Sequence, residues 1–402
     1  MKKLCSLLLI APCLLLSGCR DRSEIDDMAY AVAIGVERGE DTALALTYAF
    51  ADPAKVNGGG GEDASGGGGE DSPLKTLTVT ASDIFSGGDV ISAAIGKQVN
   101  LSHLKLLLFS RDIAAAGITS YADGFMRNLK VRPRILPAVA DDPRAYIEAI
   151  VPSFEGNPEK FLDQLFKKGA SQYVPGTTLY QLYTASQLPE RGMALPILAA
   201  DESGQEQTES NAQNANGGQD KGAKPALPAA RALAVFRDGA MQAECTDAFS
   251  WQLLTGQLRD AHITLPGAPG EHVVFRVESV KKPRVEVDVS ADAPHIAIHT
   301  QLDCQIIALE NRTVTEREYP QLQQQLQEFL TQQTSAFARQ TAQEYRTDIC
   351  GFGAAAKRRF LTLDAWNAYD WAARYPDAAF TVQIETAITR SGLVQREGGE
   401  GI

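Results

Sequence analysis

The sequence predicts an α+β protein, a multi-domain mixed α/β body whose C-terminal part packs an antiparallel sheet with a long amphipathic helix. Strand and helix patterns alternate through the first half, as in mixed α/β layer structures. In the second half, three strand patterns follow one another between 273 and 307, and a helical repeat of apolar residues begins at Pro320. The chain has 402 residues, 44% hydrophobic and 22% charged, which is a globular composition with room for two or three domains.

The first nineteen residues predict a lipoprotein signal peptide. Lys2 and Lys3 precede an apolar run over 4–16. The run is shorter than the about 20 residues of a membrane-spanning helix and has the length of a signal-peptide core. It ends in Leu-Ser-Gly-Cys, the pattern of a bacterial lipobox, whose cysteine accepts a diacylglyceryl group. We therefore expect residues 1–18 to be removed and Cys19 to anchor the mature chain to the membrane through its acyl chains.

Acidic side chains exceed basic ones, with 50 Asp and Glu against 38 Lys and Arg, and the formal net charge is −12. Proteins that bind nucleic acids hold the phosphates with clustered Lys and Arg, so this balance argues against a nucleic-acid partner. It also argues against a broad electrostatic contact with anionic lipid headgroups. Attachment to a membrane is therefore expected to be hydrophobic or covalent.

Strand and helix patterns alternate between 27 and 188. Dense or alternating apolar residues predict strands at 27–36 and 43–50, around Leu77 and Val79, and at 103–109. A broad apolar face predicts a helix over 82–99 with Ser82 as its N-cap. Further helices are predicted at 113–129, 143–150, 158–167 and 177–188.

The pattern from 230 onward predicts an α+β domain. Strands are predicted at 230–236, 273–280, 284–289 and 296–307, and a helix at 248–256. Apolar residues from Leu322 to Ile349 recur at helical spacing and predict one long helix, which glycines at 351 and 353 end. A shorter helix with Trp366 and Trp371 and a final strand at 380–388 follow. This order indicates an antiparallel sheet with a helix packed on it.

Two low-complexity stretches divide the chain. Residues 57–72 are mostly Gly, Glu, Asp and Ser, and residues 201–224 are rich in Gln, Asn, Gly and Glu. Neither stretch can bury enough apolar surface to offset the entropy of ordering it, so we expect a flexible insertion and a linker. The predicted organisation is a signal peptide at 1–18, an N-terminal mixed α/β domain at 19–200, a polar linker at 201–228 and a C-terminal α+β domain at 229–396.

Three cysteines remain in the predicted mature body besides the anchor, namely Cys245, Cys304 and Cys350. Three thiols cannot all pair, and their spacing is too wide and too poor in histidines for a zinc site. We interpret them as small buried hydrophobic residues, and their disulfide state stays open.

The sequence contains no recognisable constellation of catalytic residues. It lacks a nucleophile elbow, a P-loop and a dinucleotide-binding fingerprint. His295 and His299 share one face of a predicted strand and would suit a metal ion, but no third ligand accompanies them, which favours two exposed strand histidines. His103 borders an apolar strand and is interpreted as structural rather than as a general base. The sequence therefore predicts no enzyme, no cofactor and no metal site.

Six segments carry a resemblance to a known family. They are CRDRSEIDDMA from Cys19, AVAIGVE at 31–37, SHLKLLLFS at 102–110, the stretch 124–133 with Arg132-Pro133, EYRTDICGFG at 344–353, and 366–394. In this order they resemble the Ger(x)C family of spore germination lipoproteins, over nearly the whole mature chain. Arg20 stands where that family usually has Trp, and Cys350 replaces a common aromatic residue.

The resemblance implies the lipoprotein subunit of a nutrient germinant receptor in an endospore-forming bacterium. Such subunits have a multi-domain mixed α/β fold and no known catalytic activity. They lie on the outer surface of the spore inner membrane, and their partners are two integral membrane subunits. The resemblance does not indicate which nutrient is sensed or whether this subunit binds it.

Two alternatives stay open beside this interpretation. A solute-binding lipoprotein of a transporter would have two doubly wound parallel lobes with a ligand cleft between them. An envelope hydrolase would have a nucleophile beside a buried His–carboxylate pair in a deep pocket.

Overall fold

A computed structural model describes residues 27–391 apart from nine gaps. The gaps are 41–42, 52–73, 129–130, 151–157, 167–172, 189, 202–226, 268–270 and 311–315. Cys19, the insertion at 57–72 and nearly all of the predicted linker lie outside the described residues. Within them, no helix is long and apolar enough to cross a membrane.

Nine strands form the larger sheet. They are β1 (Met28–Arg38), β2 (Leu44–Ala51), β3 (Leu74–Ala81), β4 (Gln98–Asn100), β5 (Leu106–Ser110), β6 (Leu136–Ala140), β7 (Met193–Asp201), β8 (Leu227–Arg237) and β9 (Ala240–Cys245). Their order is β3-β2-β1-β5-β6-β7-β8-β9, and β4 pairs with the start of β1. Neighbours among β1, β5, β6 and β7 are parallel, and both flanks are antiparallel. Central parallel strands are covered on both faces, which explains why β5 is almost uniformly apolar.

Helices cover both faces of the larger sheet. They are α1 (Ile84–Ile95), α2 (Arg111–Ala116), α3 (Thr119–Arg127), α4 (Pro143–Ile150), α5 (Pro158–Leu165) and α6 (Leu179–Ser186). The sheet face that carries Ile34, Tyr48 and Phe109 packs against α1, α2, α3 and α6. The opposite face, with Val32 and Leu108, packs against α4 and α5. The first half is therefore a three-layer α/β/α structure.

The smaller sheet has five strands, β10 (Ala261–Pro266), β11 (His272–Ser279), β12 (Arg284–Asp288), β13 (His295–Glu310) and β14 (Ala379–Ser391). The strands β10, β11, β13 and β12 pair antiparallel, whereas β14 pairs parallel with β13. The long helix α8 (Tyr319–Gln343) packs on β14 and buries Leu322, Leu326 and Leu330. Four short helices complete this half, α7 (Ala248–Leu254), α9 (Gly353–Lys357), α10 (Leu363–Tyr369) and α11 (Trp371–Arg374).

The predicted fold class is confirmed, with differences in detail. The helix predicted over 113–129 is two helices, because Gly117 adopts φ +113° between them. The N-cap of α1 is Asp83 and not Ser82, since the Asp83 carboxylate accepts hydrogen bonds from the N–H groups of Phe85 and Ser86. The long helix ends at Gln343, before the predicted glycines.

The larger sheet extends beyond the boundary predicted between the two domains. Strands β8 and β9 follow the predicted linker but pair with β7 and with each other. The change from the larger to the smaller sheet therefore comes after Cys245. Leu233, Val235 and Cys245 pack into the core of the second half, so the two halves share a hydrophobic contact.

Candidate functional site

A cleft of about 810 Å³ lies where three of the segments singled out by the sequence meet. Residues 102–105, Arg132 and residues 349–351 all line it. The first half of the chain supplies one wall, and α7 with the turn after α8 supplies the other. We call it the basic cleft, for the charges described next.

The amino ends of three parallel strands form one wall of the basic cleft. Lys105 directly precedes β5, Arg134 lies two residues before β6, and Arg191 lies two residues before β7. Because β5, β6 and β7 are parallel neighbours, their amino ends lie at the same edge of the sheet. The backbone of Lys105 is fixed there, donating to the Val32 carbonyl at 2.9 Å and accepting from the Leu136 N–H at 2.8 Å.

The charges in the basic cleft are mainly positive. Lys105 Nζ lies 2.9 Å from Asp163 Oδ1, and this carboxylate also lines the cleft. Three further cations, the cleft arginines, are Arg132, Arg134 and Arg191. Among the residues that the structure describes, their guanidinium groups have no ion-pair or hydrogen-bond partner. The cleft thus concentrates positive charge in a chain whose net charge is −12.

The cleft arginines near β6 are positioned through the backbone around them. The carbonyl of Pro133 accepts from the N–H of Tyr180 at 3.2 Å, and that of Ile135 accepts from Leu179 at 2.7 Å. These bonds join the segment that precedes β6 to the first turn of α6. Thr178 caps that helix by accepting a hydrogen bond from the Gln181 N–H, which fixes the turn that contacts this segment.

The turn after α8 forms the facing wall, and a buried carboxylate organises it. Asp348 is 3% exposed, and its two oxygens accept from the N–H groups of Gly351 at 2.7 Å and Gly353 at 2.6 Å. Burial raises the pKa of Asp348, and these backbone donors act in the opposite direction. The carboxylate is therefore engaged by the backbone of its own turn and forms no ion pair with the cleft arginines.

One backbone contact joins the two walls. The N–H of Gly192 donates to the Asp348 carbonyl at 3.0 Å. Within the second wall, the Trp251 indole N–H donates to the Ile349 carbonyl at 3.1 Å and ties α7 to the turn after α8. A Cβ on Gly192 would lie 2.4 Å from Thr347 Oγ1 and 3.0 Å from Ile349 Cγ2. The close approach of β7 to this turn therefore requires glycine.

Comparison with known proteins assigns the family. The N-terminal domain model of spore germination proteins, Spore_GerAC_N, matches residues 21–200. The C-terminal model described as spore germination B3/GerAC like matches residues 231–392. The chain belongs to the GerAC family of spore germination proteins.

Two known proteins are similar to this GerAC-family protein, one in sequence and one in fold. The putative spore germination protein YfkR of Bacillus subtilis (strain 168) is 29% identical over 119 residues, which are 29% of each chain. The alignment thus spans under a third of that relative. The crystal structure of the GerBC protein aligns with a TM-score of 0.52 over 92% of this chain and 99% of that one. At 14% identity, this likeness concerns the fold alone.

The histidines singled out by the sequence lie apart from one another in this GerAC-family fold. His103 lines the basic cleft, with its ring 4.8 Å from that of Tyr30 in an edge-on arrangement. On β13, His295 is exposed and His299 is half-buried. His295 Nε2 lies 2.9 Å from Thr381 Oγ1, and His299 Nε2 lies 3.5 Å from a Glu385 oxygen. In the described part of the chain, no three His, Cys, Asp or Glu side chains are grouped to hold a metal ion.

The three body cysteines are free thiols. Cys245 and Cys304 are buried, and burial raises the pKa of Cys245 to about 11 and that of Cys304 to about 12. Cys350 is half-buried at the cleft wall, and burial also raises its pKa. These thiols are protonated at neutral pH and are poor nucleophiles. Cys19, the predicted lipidation site, lies outside the described residues.

Sequence reasoning missed several residues of the basic cleft. Arg134, Arg191 and Trp251 were not singled out, because they come from three distant parts of the chain. The one available signal for Arg134 was its place beside the Arg-Pro pair at 132–133. The antiparallel strands β10 to β13 also differ from the second parallel lobe that the solute-binding alternative predicts.

Proposed function

We propose that this protein is the lipid-anchored subunit of a nutrient germinant receptor and is required for spore germination. The observation that carries the proposal is the match of spore germination family models to both halves of the chain, 21–200 and 231–392. The GerBC-like fold is consistent with it. The division at 201–228 belongs to the same proposal as a boundary between two family regions, because the models end at 200 and begin at 231, while the larger sheet continues past it through β8 and β9.

The proposed anchor is Cys19 at the end of the lipobox, modified with a diacylglyceryl group. Residues 20–27 join it to β1, and eight residues span at most about 30 Å when fully extended. The body would therefore stay close to the bilayer. The proposed location is the outer face of the spore inner membrane.

The proposed mode of action is contact with two integral membrane subunits, without catalysis. In such a complex, a subunit acts by stabilising one of two receptor states more than the other. Burial raises the pKa values of Cys245 and Cys304, so neither thiol is a candidate nucleophile at neutral pH.

The anchor and the partners are tested together in spores that carry the gene with a C-terminal affinity tag. We expect the Cys19→Ala chain to leave the membrane fraction and to stop supporting germination. Ser17→Ala is the matched control, because it keeps a small residue in the same lipobox and should leave both properties intact.

The tagged unsubstituted chain, extracted in mild detergent, should co-purify with two multi-span membrane proteins. Membrane retention of Cys19→Ala would contradict the anchor. Normal germination of spores that lack the gene, or a chain that purifies without membrane proteins, would contradict the receptor role.

A further inference from the structure

Arginines at the two edges of the larger sheet differ in their ion pairs. At the carboxyl ends of β5 and β6, Arg111 contacts Asp141 and lies 2.8 Å from Glu244, and Arg231 lies 2.8 Å from Asp141. At the amino ends of β6 and β7, the cleft arginines form no ion pair with a carboxylate of the described chain, and Asp163 in the same cleft is paired with Lys105. The contrast is local, since both edges belong to one sheet.

Three exposed arginines line one cleft, and no carboxylate of the described residues pairs with them, so their positive charges stay unneutralised. A chain with 50 acidic residues has ample means to neutralise them, as its opposite sheet edge does. A guanidinium group presents a planar fork of donors that matches a carboxylate or a phosphate. The charge pattern therefore points to a ligand that brings the missing negative charge.

The rest of the basic cleft suits a bound group of this kind. Its volume of about 810 Å³ lies within the range of roughly 300–1,000 Å³ usual for small-ligand sites. Asp163, the carboxylate at its wall, is held by Lys105 through both oxygens, at 2.9 and 3.0 Å. Thr255, Gln257 and the Trp251 ring supply polar and apolar surface on the opposite wall.

We propose that the basic cleft binds an oxyanion group, a carboxylate or a phosphate, through Arg132, Arg134 and Arg191. The geometry that carries this is the meeting of three parallel strand ends, which places cations from distant parts of the chain on one wall. The proposal goes beyond the receptor role and does not depend on it.

The oxyanion has two possible sources. One is a free carboxylate or phosphate compound. The other is a lipid headgroup. Because β1 is parallel to β5, its first residue, Met28, lies at the same sheet edge as the cleft. The proposed lipid anchor, Cys19, shortly precedes Met28 in the chain, so this source rests on the proposed anchor. Both sources offer the same chemistry to the arginines, so the experiment needs one arm for each.

The first arm measures binding of inorganic phosphate and of citrate to the purified full chain in a neutral detergent, at constant ionic strength. Calorimetry reports occupancy, and tryptophan fluorescence supplements it, because Trp251 lines the cleft while Trp366 and Trp371 lie outside it. The variant is Arg134→Gln with Arg191→Gln, and we expect it to weaken binding roughly tenfold to a hundredfold. Arg134→Lys with Arg191→Lys keeps the charge without the forked donors and should lie in between.

The matched control is Arg358→Gln with Arg359→Gln, which removes the same charge from exposed positions outside the cleft. We expect it to bind as the unsubstituted chain does. The cleft arginines are exposed, so their glutamine variants should keep the circular dichroism spectrum and unfolding temperature of the parent.

The second arm replaces the free anions with dihexanoyl phosphatidylglycerol and, as a neutral comparison, dihexanoyl phosphatidylcholine. If phosphate or citrate binds and the cleft variant weakens that binding, the ligand is a free anion. If only phosphatidylglycerol binds and the cleft variant weakens that binding, the ligand is a lipid headgroup. The absence of saturable binding in both arms would overturn the proposal. Equal weakening by the cleft and control pairs would also overturn it, because the effect would then reflect overall charge.

Discussion

Two aspartates show what a single carboxylate does in this fold. Asp83 is exposed and accepts the N–H groups of Phe85 and Ser86 at the start of α1, at 2.8 and 3.0 Å. Asp348 is buried and accepts those of Gly351 and Gly353. Both satisfy backbone donors that the local chain geometry leaves without a carbonyl, and only their surroundings differ.

Replacing Asp83 by alanine should cost about 1 kcal/mol of stability at pH 7, the usual value of an N-cap. Hydrogen bonds from the Ser86 backbone lower the pKa of Asp83. A lowered pKa in the folded state contributes stability above the unfolded value of about 3.9, and that contribution is lost as the pH falls through the folded pKa. In urea titrations, the difference between parent and Asp83→Ala should therefore shrink from pH 7 to pH 3.

Asp89→Ala is the control, because it removes an exposed carboxylate from the same helix without removing the cap. It should change stability little at either pH. A difference for Asp83→Ala that stays constant or grows toward pH 3 would contradict the charged cap.

At the scale of elements, helices and strands with an internal repeat of apolar residues were predicted well. Strands whose place depends on pairing with other strands were not. The helix α8 was evident because its apolar residues repeat within one element, as Leu322, Leu326 and Leu330 do. The strand β7 was missed, since Pro196 argues against a central strand. It nonetheless lies between β6 and β8, pairing with β6 at two positions only, Ile197 and Leu198.

The turn at 347–353 is an element whose stability rests on one side chain. Asp348→Asn keeps the size of the side chain but places an NH₂ group where an oxygen accepts from a backbone N–H. One buried donor would then lack an acceptor, which costs about 1–3 kcal/mol. Urea unfolding followed by far-UV circular dichroism should show a loss in this range.

Asp364→Asn is the control for this turn. It makes the same change on an exposed residue of α10 and should alter stability by less than about 0.5 kcal/mol. Equal effects of Asp348→Asn and Asp364→Asn would show that the turn does not depend on the buried carboxylate.

At the scale of the whole molecule, the basic cleft exists because the two halves are packed together. Its cations precede three strands that are adjacent only after the sheet forms, in the order β5, β6 and β7. A single sequence does not show which strands are neighbours, so the segments around 102–105, 132–133 and 344–353 could be recognised one by one but not as one site. The predicted burial of Cys245 and Cys304 needed no such information, since it rests on composition and spacing, whereas Cys350 is only half-buried.

The packing of the halves can be tested at Gly192, where β7 meets the turn after α8. Gly192→Ala would place a Cβ 2.4 Å from Thr347 Oγ1 and 3.2 Å from the Phe236 carbonyl, so the walls must move apart. Overpacking of this kind costs about 1–3 kcal/mol. Gly176→Ala is matched to it, because Gly176 lines the same cleft and a Cβ there meets nothing within 4 Å. Gly176→Ala should be neutral or slightly stabilising, because alanine lowers the conformational entropy of the unfolded chain. Urea midpoints that fall equally for both variants would contradict the close approach of Gly192 to the turn.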